Sequence, residues 1–278
     1  MSLQVTTRHG SVELDRIGSG EPVLLLHGIP GSRASWTAVV DLLSAHAGLL
    51  VPDLLGFGGS SRPRDVRQLH AEGQAEALLD VLDSLDVSTV TVVAHDFGGP
   101  VALRLLDLAP DRVTRLGLLS TNAFTDTPIP VPLNTLTWPV VGPLMEKVLM
   151  SGPSLRLMLR AGTGCGSDRL DAHTHLGDAS QRQSITTIFS ASLRDLVTLY
   201  APVEVAIRAA DVPGFVAWGD RDPFFSIAQG RRTAEALRAP FLLLTGAGHF
   251  LPQERPVEVA SAVRHLLGEH VPDTAGRS

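Results

Sequence analysis

One short stretch limits this chain more than any other: Thr89-Val90-Thr91-Val92-Val93-Ala94-His95-Asp96-Phe97-Gly98-Gly99-Pro100. A continuous apolar, β-branched run has the pattern of a strand buried on both faces. It ends in His95 and Asp96, two glycines follow, and helical apolar spacing resumes from Val101 to Leu108. A strand that enters a helix through small-x-X-x-Gly turns sharply and pushes one side chain clear of the sheet. Glycine permits the turn because it has no Cβ to meet the preceding strand. The apex residue is Asp96, a carboxylate where a serine more often stands.

The remainder of the chain reads as strands alternating with helices. Val5 to Ile17 alternates around His9-Gly10, as a hairpin does, and Val23 to Leu26 is a second fully apolar strand. The loop His27-Gly28-Ile29-Pro30-Gly31-Ser32 follows, then a helix over Arg33–Ala45 with Ser32 as N-cap. Leu49 to Asp53 predicts a strand leading into the glycine-rich Leu54–Pro63, and Leu69–Leu85 predicts a helix. Val113 to Leu119 is the strand after the Asp96 turn. The rhythm then stops. Residues 123–211 contain prolines and helical patches (Leu144–Met150, Ser154–Leu159, Ile185–Leu199) and no convincing strand. It resumes with Gly214–Trp218, a helix over Ile227–Leu237, Phe241–Leu244, and a last helix over Pro256–Leu267. Such alternation predicts an α/β fold with a mostly parallel central sheet flanked by helices. The core is expected over 1–122 and 212–278, with 123–211 inserted as a helical cap.

Composition narrows the partners. Hydrophobic residues at 44% against 19% charged predict a globular chain, and a formal net charge of −6 argues against the basic face that nucleic acid requires. The single cysteine, Cys165, rules out an internal disulfide. No apolar run is long enough to span a bilayer, and the N-terminus lacks the basic-then-apolar pattern of a signal peptide. The expectation is a cytoplasmic monomer or homodimer acting on a small molecule without membrane or nucleic-acid partners. His173 and His175 stand only two apart with no Cys or Glu pattern beside them, so no metal is expected.

A carboxylate that attacks carbon needs a base to activate water, an acid to orient that base, and donors for developing negative charge. Strand ends supply candidates: Gly219-Asp220-Arg221-Asp222-Pro223 and Gly246-Ala247-Gly248-His249-Phe250. Asp96, Asp222 and His249 fall in the chain order nucleophile, acid, histidine. The oxyanion donors would be the backbone N–H groups of Phe97 and Ile29. Asp220, His27 and Asp53 read as loop braces and His95 as a packed neighbour.

These motifs, with Pro52-Asp53-Leu54-Leu55-Gly56-Phe57-Gly58-Gly59-Ser60 between them, resemble the α/β-hydrolase fold, specifically its epoxide hydrolase and haloalkane dehalogenase branch. The resemblance implies an Asp nucleophile, an alkyl-enzyme ester at Asp96, its hydrolysis by water activated at His249, and no cofactor. Dehalogenases of this branch hold the halide with a Trp after the nucleophile, plus an Asn in the first loop or a Trp in the cap. Here the first two positions are Phe97 and Ile29, which leaves Trp138. Epoxide hydrolases instead use two cap tyrosines to assist the departing oxygen. This chain has one, Tyr200, with His173 or His175 as the candidate second donor. The leading expectation is an epoxide hydrolase of a small apolar substrate. The alternatives are a dehalogenase, a biosynthetic enzyme using Asp96 as a base, and a non-catalytic binding protein.

Overall fold

The computed structural model describes residues 1–164, 176 and 179–269. Eight strands form one sheet in the order β1-β2-β4-β3-β5-β6-β7-β8. They are β1 (Ser2–Thr7), β2 (Gly10–Ile17), β3 (Pro22–Leu26), β4 (Gly48–Pro52), β5 (Val90–His95), β6 (Val113–Leu119), β7 (Gly214–Gly219) and β8 (Phe241–Leu244). The first hairpin pairs antiparallel, and β2 pairs antiparallel with β4. From β3 to β8 every pairing is parallel. All six of these strands therefore end along one edge.

β5 lies near the middle and all six of its residues are buried. Its register places Ala94 beside Leu26 of β3 and beside Leu118 of β6. Alternate residues feed two cores. Leu24, Leu26, Val92, Ala94, Leu116, Leu118 and Trp218 face one; Val23, Leu25, Val93, Leu119, Phe215 and Ala217 face the other. Both faces are covered, so the strands read as unbroken apolar runs. The first core is closed by α2 (Ala71–Ser84), α3 (Gly98–Leu108) and two helices described below, the second by α1 (Thr37–Leu43) and a C-terminal helix. Each fully buried Leu or Val contributes about 1.5–3 kcal/mol, which fixes the sheet that carries the site.

Between β6 and β7 lie α4 (Gly142–Leu149), α5 (Gly152–Ala161), α6 (Ala179–Arg194) and α7 (Leu196–Ala209). No strand occurs among the described residues of 120–213. The chain closes with α8 (Ile227–Leu237), a single turn α9 (Leu251–Glu254) and α10 (Pro256–Leu266).

Two sequence-based boundaries need correction. The helix expected over Arg33–Ala45 begins as a 3-10 turn, Arg33–Trp36, and its α portion ends at Leu43. Ser32 does cap it, accepting from the Ala34 N–H. The patch Ile185–Leu199 is two helices, because Asp195 leaves helical geometry (φ −127°, ψ 42°). The second helix runs through Pro202, which a sequence reading treats as a stop. Burial of Val203, Ala206 and Ile207, with α7 packed on α3, keeps it helical.

Candidate active site

The strand-to-helix turn after β5 is strained where the sequence places its apex. Asp96 has φ +51°, the left-handed region, which costs a non-glycine residue about 1–2 kcal/mol. Three hydrogen bonds hold it there. The Asp96 N–H donates to the Leu119 carbonyl (3.1 Å), and the Asp96 carbonyl accepts from the Gly99 N–H (3.0 Å) and from Thr121 Oγ1 (2.6 Å). Two glycines make room: a Cβ on Gly28 would overlap the Asp96 side chain, and one on Gly99 would overlap Thr121.

The two carboxylate oxygens of Asp96 have different surroundings. Oδ1 accepts the Ile29 N–H at 2.6 Å. Oδ2 lies 3.5 Å from His249 Nε2. On the other side of that ring, Nδ1 is 2.9 Å from Asp222 Oδ2. Asp222 is fixed in turn, its Oδ1 accepting the N–H groups of Phe224 (2.8 Å) and Phe225 (3.1 Å). The three groups form one chain from the end of β5 to the ends of β7 and β8.

The protein clamps His249 by its backbone and by its ring. Its N–H donates to the Gly162 carbonyl at 2.7 Å, and its carbonyl accepts from His95 Nε2 at 2.9 Å. A carbonyl can only accept, so His95 carries its proton on Nε2. Phe224, Phe225, Phe250 and His95 pack around the imidazole with centroids 4.9–5.6 Å away.

Charge follows from these contacts. Burial works against a charged His249, but the carboxylates of Asp222 and Asp96 outweigh it and raise its pKa to about 10. Burial likewise opposes ionisation of Asp96 and Asp222, and the imidazolium with the backbone donors overcomes it, so both are held below the usual carboxylate range. His95 goes the other way. Burial first, then the adjacent His249 charge, push it down to about 4. At neutral pH the resting site is therefore two carboxylates sharing one imidazolium.

A cavity of about 100 Å³ opens over Asp96 and His249. Its wall is largely apolar, including Phe97, Ile129, Phe189, Leu193 and Phe224, with Asn122, Thr127, Ser192 and Tyr200 as polar members beside Asp96 and His249. Burial raises the Tyr200 phenol, the Asp96 charge raises it further, and the Asn122 amide partly offsets both. Tyr200 therefore stays protonated, as a donor.

A family model described as the alpha/beta hydrolase fold matches residues 21–149. Epoxide hydrolase 3 of Xenopus tropicalis is 26% identical over 287 residues, covering 95% of this chain and 77% of that protein. A 2-hydroxymuconate semialdehyde hydrolase of a Pseudomonas strain is 28% identical, covering 91% of this chain and 88% of that protein. A haloalkane dehalogenase structure from Bradyrhizobium elkani superposes with a TM-score of 0.81 at 19% identity, covering 96% and 98% of the two chains. This chain has the α/β-hydrolase fold. At these identities the relatives establish the scaffold, and their names describe three different reactions.

Within this α/β-hydrolase fold the sequence-predicted residues separate into those brought together and those left apart. Asp96, Ile29, Phe97, Tyr200 and His249 line the cavity, and Asp222 reaches it through His249 Nδ1. The Ile29 N–H already meets the Asp96 carboxylate, and the Phe97 ring lines the cavity. Trp138 does not converge: it is 51% exposed, follows a 3-10 turn and is absent from the cavity wall. Its position in a proline-punctuated segment leaves its side chain facing out rather than down. His173 and His175 lie outside the described residues. Asp220, His27 and Asp53 brace loops. Asp220 accepts the Gly246 N–H (2.7 Å), His27 Nε2 accepts the Leu54 N–H (3.0 Å), and Asp53 takes the Arg33 and Gly59 N–H groups.

Two contributors went unread in the sequence. Glu254 is buried and accepts three backbone N–H groups: Gly164 (2.6 Å), Gly248 (2.9 Å) and Phe250 (3.0 Å). It ties the loop on both sides of His249 to the segment after α5. A glutamate five residues past the histidine, with a proline two residues away on either side, was the available signal. Asn122, three residues past β6, is the other. Its amide fixes the turn at Phe124 by two hydrogen bonds and acts on Tyr200. No helix among the described residues is long and apolar enough to cross a membrane.

Proposed function

We propose that this protein is a cofactor-independent hydrolase that opens an epoxide on a small apolar substrate through an alkyl ester of Asp96, with the segment 123–211 serving as a cap. The observation that carries the proposal is the division of labour at Asp96. One oxygen is tied to the Ile29 N–H, the other lies 3.5 Å from His249 Nε2, and both residues line the cavity.

In the first step Oδ2 attacks a ring carbon, the carbon–oxygen bond breaks, and the departing oxygen takes a proton from Tyr200. His249 returns that proton to Tyr200. It can do so because esterification removes the Asp96 charge, one of the two that held its own proton. In the second step neutral His249 takes a proton from water, and hydroxide adds to the ester carbonyl. The oxyanion is met by the Ile29 N–H, and by the Phe97 N–H at the start of α3. Collapse expels the diol, protonated by His249. The remaining Asp96 acid proton passes back to His249, which restores the resting charges. Asp222 keeps Nδ1 protonated throughout, so that Nε2 does the transfers.

Dehalogenation is less well supported. Phe97 and Ile29 offer no side-chain N–H to a halide, and the indole of Trp138 lies away from the cavity. An epoxide panel and a haloalkane panel, assayed for diol and for halide, test the assignment. Diol from the first with no halide from the second is expected; halide release alone would reverse the reading.

A further inference from the structure

His249 is held from two directions that belong to different parts of the chain. Its carbonyl meets His95 Nε2, at the end of β5, at 2.9 Å, and its N–H meets the Gly162 carbonyl at 2.7 Å. Gly162 is the C-cap of α5, in the segment inserted between β6 and β7. A helix cannot satisfy the carbonyls at its own C-terminal end. The histidine takes one of those that α5 leaves over.

The grip extends to the neighbouring residues. Glu254 Oε2 accepts both the Gly164 N–H (2.6 Å) and the Gly248 N–H (2.9 Å), so one carboxylate oxygen joins the two backbones. No side chain separates them. A Cβ on Gly164 would overlap the Gly246 carbonyl and lie 2.6 Å from Gly248 N, and a Cβ on Gly248 would overlap the Gly162 carbonyl. A Cβ on Gly162 would instead lie 2.6 and 2.8 Å from the ring edges of Phe250 and Phe224. Both rings pack on the His249 imidazole, with centroids 5.1 and 5.0 Å away. The hydrogen bonds described for the other two members of the triad have a different origin. Asp96 is fixed by Ile29, Gly99, Leu119 and Thr121, and Asp222 by Phe224 and Phe225, all outside 123–211.

We propose that Gly162–Gly164 is a positioning element for the imidazole of His249, a clamp that sets the ring's reach to Asp96 and Asp222 through the backbone it grips. Proton transfer needs heavy atoms within about 2.6–3.2 Å, and a misplacement of about 1 Å can cost about a hundredfold in rate. The inserted segment thus holds the base in register, and the nucleophile is held without it. That His249 is the base of ester hydrolysis rests on the function proposed above; the hold on its ring does not.

An NMR titration of labelled imidazole reads the ring directly. In the unmodified protein Asp222 and Asp96 hold the His249 proton to about pH 10, with neutral His95 the third titratable group against the ring. Gly164→Ala forces the two backbones apart and is expected to lower that midpoint by about one pH unit or more. Gly162→Ala meets only movable ring edges, so it carries the test alone if Gly164→Ala fails to fold; about half a pH unit in the same direction is expected. Gly152→Ala, on the same helix with only Arg156 Nη1 at 3.9 Å from the new Cβ, should leave the midpoint unchanged. A Gly162→Ala midpoint within about 0.2 pH unit of the unmodified protein, even with lowered thermal stability, would make the contact merely structural and overturn the proposal. So would an equal fall in Gly152→Ala. A rapid-quench assay with an epoxide that the unmodified protein hydrolyses should show ester formation nearly unchanged in Gly162→Ala and ester hydrolysis slowed about tenfold or more. Equal slowing of both steps would overturn the clamp's restriction to the base. If no epoxide is hydrolysed by the unmodified protein, the function proposed above falls and the titration alone decides the clamp.

Discussion

Neutralising Asp96 should convert His249 from a stable imidazolium into a base that works near neutral pH. His249 Nε2 lies 3.5 Å from Asp96 Oδ2. At an effective dielectric constant of about 20, a unit charge pair at that separation is worth about 5 kcal/mol. With about 1.4 kcal/mol per pH unit, loss of that charge lowers the His249 midpoint by roughly three pH units from its value of about 10. In the proposed mechanism ester formation at Asp96 makes this change, and Asp96→Asn makes it permanently while keeping an oxygen for the Ile29 N–H. The assay is an NMR titration of labelled imidazole in both proteins. A midpoint in Asp96→Asn within half a pH unit of the unmodified protein would refute the reasoning, because Asp222 alone would then hold the proton.

Other substitutions probe the rest of the site. Tyr200→Phe should slow ester formation by about a hundredfold or more in rapid-quench experiments, and an unchanged rate removes Tyr200 from proton donation. Glu254→Gln sets an amide N–H against backbone donors that now meet a carboxylate. It is expected to lower kcat about tenfold or more with little change in KM, and Glu254→Asp should recover part of the loss. Gly28→Ala places a Cβ against the Asp96 carboxylate, so activity should fall much further than thermal stability. The raised His249 pKa also predicts a pH dependence of stability. The folded state holds this proton more tightly than the unfolded chain, so its contribution is complete below about pH 6.5 and is lost as pH rises through about 10. Calorimetric melting between pH 7 and 10 should show the decline, and His249→Gln should flatten it.

Much of this arrangement was legible in the residues because it is local. The strand β5, the glycines after Asp96 and the order of Asp96, Asp222 and His249 sit in short motifs at strand ends, where backbone geometry dictates residue type. The parallel sheet followed from fully apolar strands separated by helices. What the sequence hid depends on tertiary contact. Pro202 remains inside a helix that packs on α3 and buries Val203, Ala206 and Ile207. Trp138 looked like a cavity residue because of its type, yet side-chain direction in an irregular segment is set by packing that no local pattern records. Glu254 gathers N–H groups from residues 164, 248 and 250, a convergence visible only once the chain has folded.

The central claim is a covalent ester at Asp96, and the His249→Gln variant tests it most directly. Without a base for the water step, incubation with an epoxide should leave the intact protein heavier by the mass of that epoxide. Peptide mapping should place the increment on Asp96. An unmodified protein, from an epoxide that the unaltered enzyme hydrolyses, would contradict the account.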